Sequence, residues 1–128
     1  AFSSWEDAFS DNMNLVNVPR LFCTLEKPFV KLCSGIHYGF DTVSYSPLKA
    51  LEDFGNRPLL LMHSTKDSQV PYPSFERLRK QADKCNIDTS TFIREGDEHF
   101  LCYEEYFDNP LQDTQFSHSI LHFLNANY

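Results

Sequence analysis

Residues 59–62 read Leu-Leu-Leu-Met and run straight into His63, an apolar stretch without polar alternation. A strand that keeps one face in water alternates, whereas one covered on both faces does not, so this stretch is expected to lie inside a parallel sheet. Such a strand needs a neighbour on each side and helices over both faces. One neighbour is in sight: residues 88–94, Asp-Thr-Ser-Thr-Phe-Ile-Arg, are rich in β-branched and aromatic side chains and predict a second strand. Between the two lie a polar loop with Pro71 and Pro73 and a stretch placing Phe75, Leu78, Ala82 and Cys85 on one side of a helix. A strand, helix, strand crossover makes the two strands parallel. These 128 residues supply no second neighbour, so the remaining strands are expected upstream of Ala1 or on another chain. The fold class is α/β, with a sheet that is incomplete without upstream strands.

The rest of the chain reads as helices. Ser3 and Ser4, with Glu6 and Asp7 three residues after each, resemble overlapping capping boxes that open a helix through Trp5, Ala8 and Phe9, broken by Ser10-Asp11-Asn12. From Val18 the apolar rhythm of Leu21, Phe22, Leu25, Phe29, Val30, Leu32 and Cys33 predicts two helical pieces split at Pro28, with Gly35 past the end. Ser46-Pro47 caps a helix of roughly eight residues carrying Leu48, Leu51 and Phe54 up to Gly55. Asp113 caps a last helix whose core face is expected to be Phe116, Ile120, Phe123, Leu124 and Tyr128. The first residue is Ala1 inside an opening helix, so the chain is expected to have lost something upstream.

Charge and composition close off several functions. Eleven Lys and Arg against 18 Asp and Glu leave a net charge of −7, which repels a phosphate backbone and argues against nucleic acid as a partner. No apolar run approaches the roughly 20 residues of a membrane span. Cys23, Cys33, Cys85 and Cys102 contain no CxxC pair and read as reduced, mostly buried thiols, which favours a cytoplasmic location. The spacing of Cys23, Cys33 and His37 matches no compact zinc knuckle, and His118 with His122 lacks a third ligand. No metal or organic cofactor is expected.

In a parallel sheet with crossover helices, the loops leaving the carboxyl ends of the strands converge, and sites form there. Asp67 follows the first strand and His99 the second, so these loops place a carboxylate and an imidazole on one edge, the pair that orients a catalytic base. A plainer reading stands beside it, with Asp67 a turn cap and His99 a solvated loop histidine. Asp97 and Glu98 are too close to His99 in sequence to be its partner and read as loop-solvating charges. His63, at the end of the buried strand, reads as a satisfied core histidine.

The stretch Arg57-Pro58-Leu59-Leu60-Leu61-Met62-His63-Ser64-Thr65-Lys66-Asp67-Ser68-Gln69-Val70-Pro71, followed later by Gly96-Asp97-Glu98-His99-Phe100, resembles the carboxyl-terminal half of an α/β-hydrolase. It is most similar to the serine hydrolases related to prolyl oligopeptidase and dienelactone hydrolase. Their pattern there is close to H-G-x-x-D-x-x-V-P, then G-x-x-H. The resemblance makes Asp67 the triad acid and His99 the base, with Ser64 standing where the family has glycine. Asp41-Thr42-Val43-Ser44-Tyr45-Ser46-Pro47-Leu48 is similar to the family's approach to this strand. The likeness covers residues 40–125, the first 40 only loosely.

The family's nucleophile sits in G-x-S-x-G on a strand-to-helix turn, and none of Gly35, Gly39, Gly55 and Gly96 belongs to such an elbow. The resemblance therefore implies residues 41–128 as the carboxyl-terminal part of a hydrolase domain and residues 1–40 as a helical insertion over the site. Trp5, Phe9, Phe22 and Phe29 would form an apolar substrate pocket. The upstream half of the same hydrolase is the implied partner and a small-molecule ester or a peptide the implied substrate, with this chain alone inactive. Two rivals are a non-catalytic binding module that kept the half-fold and a metal site of cysteines and histidines.

Overall fold

A computed structural model describes residues 3–128, apart from the side chain of Trp5. Among the described residues five helices precede the first of two strands, a sixth separates the strands, and two short 3-10 turns and a long helix follow the second. The strands β1 (Leu59–Ser64) and β2 (Thr89–Arg94) pair in parallel, in a register that runs from Leu59 opposite Thr89 to Ser64 opposite Arg94. Both strands therefore end at the same level. Among the described residues the sheet has these two strands only, which makes the chain α/β in its mix of helix and parallel strand.

Tyr72–Lys84 forms the crossover helix, numbered α6 here because Trp5–Leu15 (α1), Arg20–Leu25 (α2), Lys27–Tyr38 (α3), Phe40–Ser44 (α4) and Pro47–Ala50 (α5) precede it. Its buried side, Phe75, Leu78 and Ala82, meets Leu51, Leu61 and Ile87 in one cluster, with Leu48, Phe54, Leu59, Tyr72 and Cys85 packed at its margin. Alternation along β1 decides which side chains join. Leu61 and His63 are buried on the α6 side, while Leu60 and Met62, pointing the other way, are only half-buried. The expectation of full burial on both faces is thus met on one face alone, because no second helical layer among the described residues lies over the other.

Several boundaries differ from the sequence reading. Helix α1 continues through Ser10-Asp11-Asn12 to Leu15, because those side chains find partners beyond their own turn. Ser10 Oγ donates to the Cys23 carbonyl at 2.9 Å, Asp11 pairs with Arg77, and Asn12 donates to the Gln69 carbonyl at 3.2 Å. Pro28 does not kink a helix interior but sits in the first turn of α3, where its missing N–H costs nothing. Gly35 lies within α3, where the Phe40 ring occupies the space a side chain would need, and the helix ends instead at Gly39 with φ +91°. Helix α5 has four residues rather than eight and passes through turns to Gly55.

The helix Thr114–Asn127 (α7) begins as expected, Asp113 accepting from the Phe116 amide at 3.1 Å. Its expected core face is not buried. Phe116, Ile120 and Phe123 are half-covered, whereas Leu124 is 45% and Tyr128 86% exposed. The face has helical spacing, but none of the described elements forms a layer over it. Of the four cysteines, all free, Cys23 and Cys102 are buried, Cys85 is half-buried and Cys33 is exposed. None of the described helices is long and apolar enough to cross a membrane.

Phe75 is fully buried at the meeting point of α6 and β1. Phe75→Ala is expected to lower the unfolding free energy by about 3–5 kcal/mol, read from the urea midpoint. A cost below about 1 kcal/mol would mean that the core is not organised around this ring.

Candidate active site

Because β1 and β2 end level, the loops that follow them leave the same edge side by side, and hydrogen bonds join them at every step. The Thr65 amide donates to the Arg94 carbonyl at 2.9 Å and the Lys66 amide to the Gly96 carbonyl at 2.8 Å. Ser68 donates its amide to Asp97 Oδ1 at 2.7 Å, giving Asp97 a structural partner across the gap. Ser64, fully buried, donates its hydroxyl to the Glu98 carbonyl at 2.6 Å. Glycine at this position would lack that bond, so Ser64 adds a tie between the two loops one residue before His99. Gly96, at φ +125°, makes the bend that lets the second loop turn back toward the first.

Asp67 and His99 meet across this seam. His99 Nδ1 lies 2.9 Å from Asp67 Oδ2 and 3.1 Å from Oδ1. An ionised carboxylate only accepts, so the proton of a neutral His99 resides on Nδ1 and leaves Nε2 as the basic lone pair. Asp67 is 5% exposed, and its Oδ1 also accepts the amides of Gln69 at 2.9 Å and Val70 at 2.8 Å. Burial pushes this carboxyl up, but the Val70 and Gln69 amides and then the His99 ring outweigh it and hold Asp67 below its ordinary value. The carboxylate that caps its own turn is thus also the one that faces the imidazole. One oxygen caps its own loop while the carboxylate as a whole faces the imidazole.

His63 occupies the floor beneath, buried and parallel to the Phe75 ring at 5.7 Å, with Tyr72 at 5.8 Å. Burial lowers its affinity for a proton, against the pull of the Asp67 charge, so it is neutral near pH 7.

The helical segment before residue 45 reaches the site from the side. Helix α1 docks on α6 through polar groups: Arg77 pairs with Asp11 and reaches Ser3 Oγ at 3.0 Å and Asp7 at 3.5 Å, while Ser74 donates to Asp11 at 3.2 Å. Asn12 donates to the Gln69 carbonyl at 3.2 Å, which ties the same helix to the Asp67 loop. A cleft of about 870 Å³ opens between them, lined mainly by apolar groups that include Phe9, Val30, Tyr38 and Val43, and by Gln69 and Val70. Of the aromatic residues expected in a pocket, Phe9 lines this cleft. Phe22 and Phe29 do not, being 59% and 68% exposed, and the side chain of Trp5 is outside the described residues.

Three features here carry little or no signal in the sequence. Ser64 stands out only as a departure from glycine, the amides of Gln69 and Val70 are invisible in any side-chain pattern, and Arg94 reads merely as the end of a strand. In the structure Arg94 is buried against Asp113, Nη2 to Oδ1 at 2.8 Å. Among the described residues no group of three His, Cys, Asp or Glu side chains is arranged to hold a metal ion. The His118 and His122 rings lie 6.0 Å apart on α7. No family model, no curated protein and no solved structure matches this chain.

The lowered Asp67 carboxyl fixes a pH dependence. A carboxyl depressed in the folded state contributes stability that is fully present above its unfolded value, about pH 4, and is lost as pH falls through the folded value. Urea unfolding followed from pH 6 downward is therefore expected to weaken below about pH 4, and less steeply in Asp67→Asn. Equal slopes for the two proteins would mean that the carboxylate gains nothing from its amides and imidazole.

Proposed function

We propose that this chain is the acid-and-base half of a serine hydrolase of the α/β-hydrolase kind, acting on carboxylic ester or amide bonds. The observation that carries the reading is the buried Asp67 carboxylate on His99 Nδ1 at 2.9 Å. It leaves Nε2, which makes no hydrogen bond among the described residues, to take a proton. A serine supplied by an upstream half of the same hydrolase would lose its proton to Nε2 as it attacks the carbonyl. Asp67 would hold the tautomer and stabilise the imidazolium, and His99 would then return the proton to the leaving group. Water releases the acyl group by the reverse path. This route needs no metal or organic cofactor, and it gives residues 1–128 alone no turnover, since they contain no G-x-S-x-G. The sequence resemblance and the level strand ends support the same reading.

The test is made on protein isolated from its natural source, so that any polypeptide supplying the serine accompanies it. A fluorophosphonate probe is expected to label a serine, and short acyl esters of p-nitrophenol to be hydrolysed. Asp67→Asn and His99→Ala are each expected to lower kcat by about 10⁴-fold or more, with little change in KM. Absence of a labelled serine, or rates unchanged by both substitutions, would leave a binding module that retains the geometry without the chemistry.

A further inference from the structure

We propose that Arg94 and Asp113 are positioning residues for His99: their buried ion pair clamps the two ends of the 95–112 loop and, through Tyr103, holds the imidazole against Asp67. This rests on Asp67 and His99 forming an acid–base pair. Arg94 is the last residue of β2 and Asp113 the residue before α7, so the pair spans the mouth of the loop that carries His99. The two side chains are 1% and 3% exposed and 2.8 Å apart. Tyr103 is held by both partners. Its ring lies 4.3 Å under the Arg94 guanidinium and its amide donates to Asp113 Oδ2 at 3.5 Å.

On the other side of His99, the Glu98 carbonyl is fixed by Ser64. His99 thus lies between two anchors, at 98 and 103. Between them Leu101 adopts φ +66°, a left-handed conformation that an L side chain resists. Such a residue holds that conformation only while its flanks are fixed. A buried ion pair adds little net stability over an apolar pair of similar volume, so what Arg94 and Asp113 contribute is direction: a fixed guanidinium plane and a fixed carboxylate from which the loop is hung. Freed at 103, Leu101 relaxes and the imidazole swings off Asp67.

Imidazole ¹⁵N spectra of the whole ¹⁵N-labelled chain, followed as pH is raised until the ring signals no longer move, report the tautomer of His99, a quantity that loss of stability alone does not alter. The wild type is expected to hold His99 as the Nδ1–H tautomer, and Asp67→Asn to lose it. Asp113→Asn keeps the helix cap but removes the charge, and the double variant Arg94→Met with Asp113→Asn leaves no lone buried cation to unfold the chain. Loss of the Nδ1–H majority in these variants, with the β1 and β2 amides still protected from exchange, supports the clamp. An unchanged tautomer in a folded double variant overturns it while the acid–base reading stands. Unfolding of both variants also overturns it, because the pair would then hold the fold rather than the loop. A wild type without Nδ1–H, or one indifferent to Asp67→Asn, removes the acid–base reading and the clamp with it.

Discussion

The parallel pairing of β1 with β2 is the constraint on which the remaining geometry rests. The register sets Ser64 opposite Arg94, so both chains leave the sheet at one level and in one direction. Parallel strands demand a crossover, and α6 supplies it while covering one face with Phe75, Leu78 and Ala82. A shift of one residue in that register would turn Leu61 and His63 away from α6 and carry the Asp67 loop out of step with the His99 loop. The apolar cluster therefore fixes the position of the polar site and reaches it through His63, whose ring stacks on Phe75.

Much of this was legible in the amino-acid sequence, for identifiable reasons. The run at 59–62, the β-branched residues at 89–94 and the one-sided spacing of Phe75, Leu78 and Ala82 are strong local signals, and all three became the elements they predicted. Asp67 and His99 could be placed on one edge because parallel topology leaves little choice. What remained illegible depends on partners far along the chain. The Ser10-Asp11-Asn12 stretch has the composition of a helix breaker, yet Cys23 and Arg77 absorb the side chains that would have broken it. Leu124 and Tyr128 carry the spacing of a core face, but spacing states only that a face could be buried, never that something covers it. Phe22 and Phe29 share the apolar rhythm of Phe9, and only the packing of α1 against α3 and α6 decides that Phe9 alone reaches the cleft.

The seam between the loops illustrates a division of labour between two kinds of interaction. Apolar contacts around Phe75 are non-directional and hold elements together. Hydrogen bonds such as Ser64 to Glu98, Ser68 to Asp97 and the Asp67 amide cap fix angles and distances. Ser64 shows how one oxygen atom can move a residue from the first role to the second. Its Oγ ties the end of β1 across to the partner loop, a bond that glycine could not make.

Helix α1 meets α6 through Arg77, Asp7, Asp11, Ser3 and Ser74, with Lys27 adding a further ion pair to Asp7 at 2.8 Å. The helical segment is therefore held to α6 by polar contacts and α6 to β1 by apolar ones, and the two junctions answer differently to the solvent. Mobile ions screen the Arg77 and Lys27 contacts, which are partly open to water, while the Phe75 cluster is insensitive to them or tightens in salts excluded from apolar surfaces. Ionic strength is therefore expected to act first on the charged contacts that hold the Phe9 wall of the cleft to α6, and least on the apolar packing of α6 against β1.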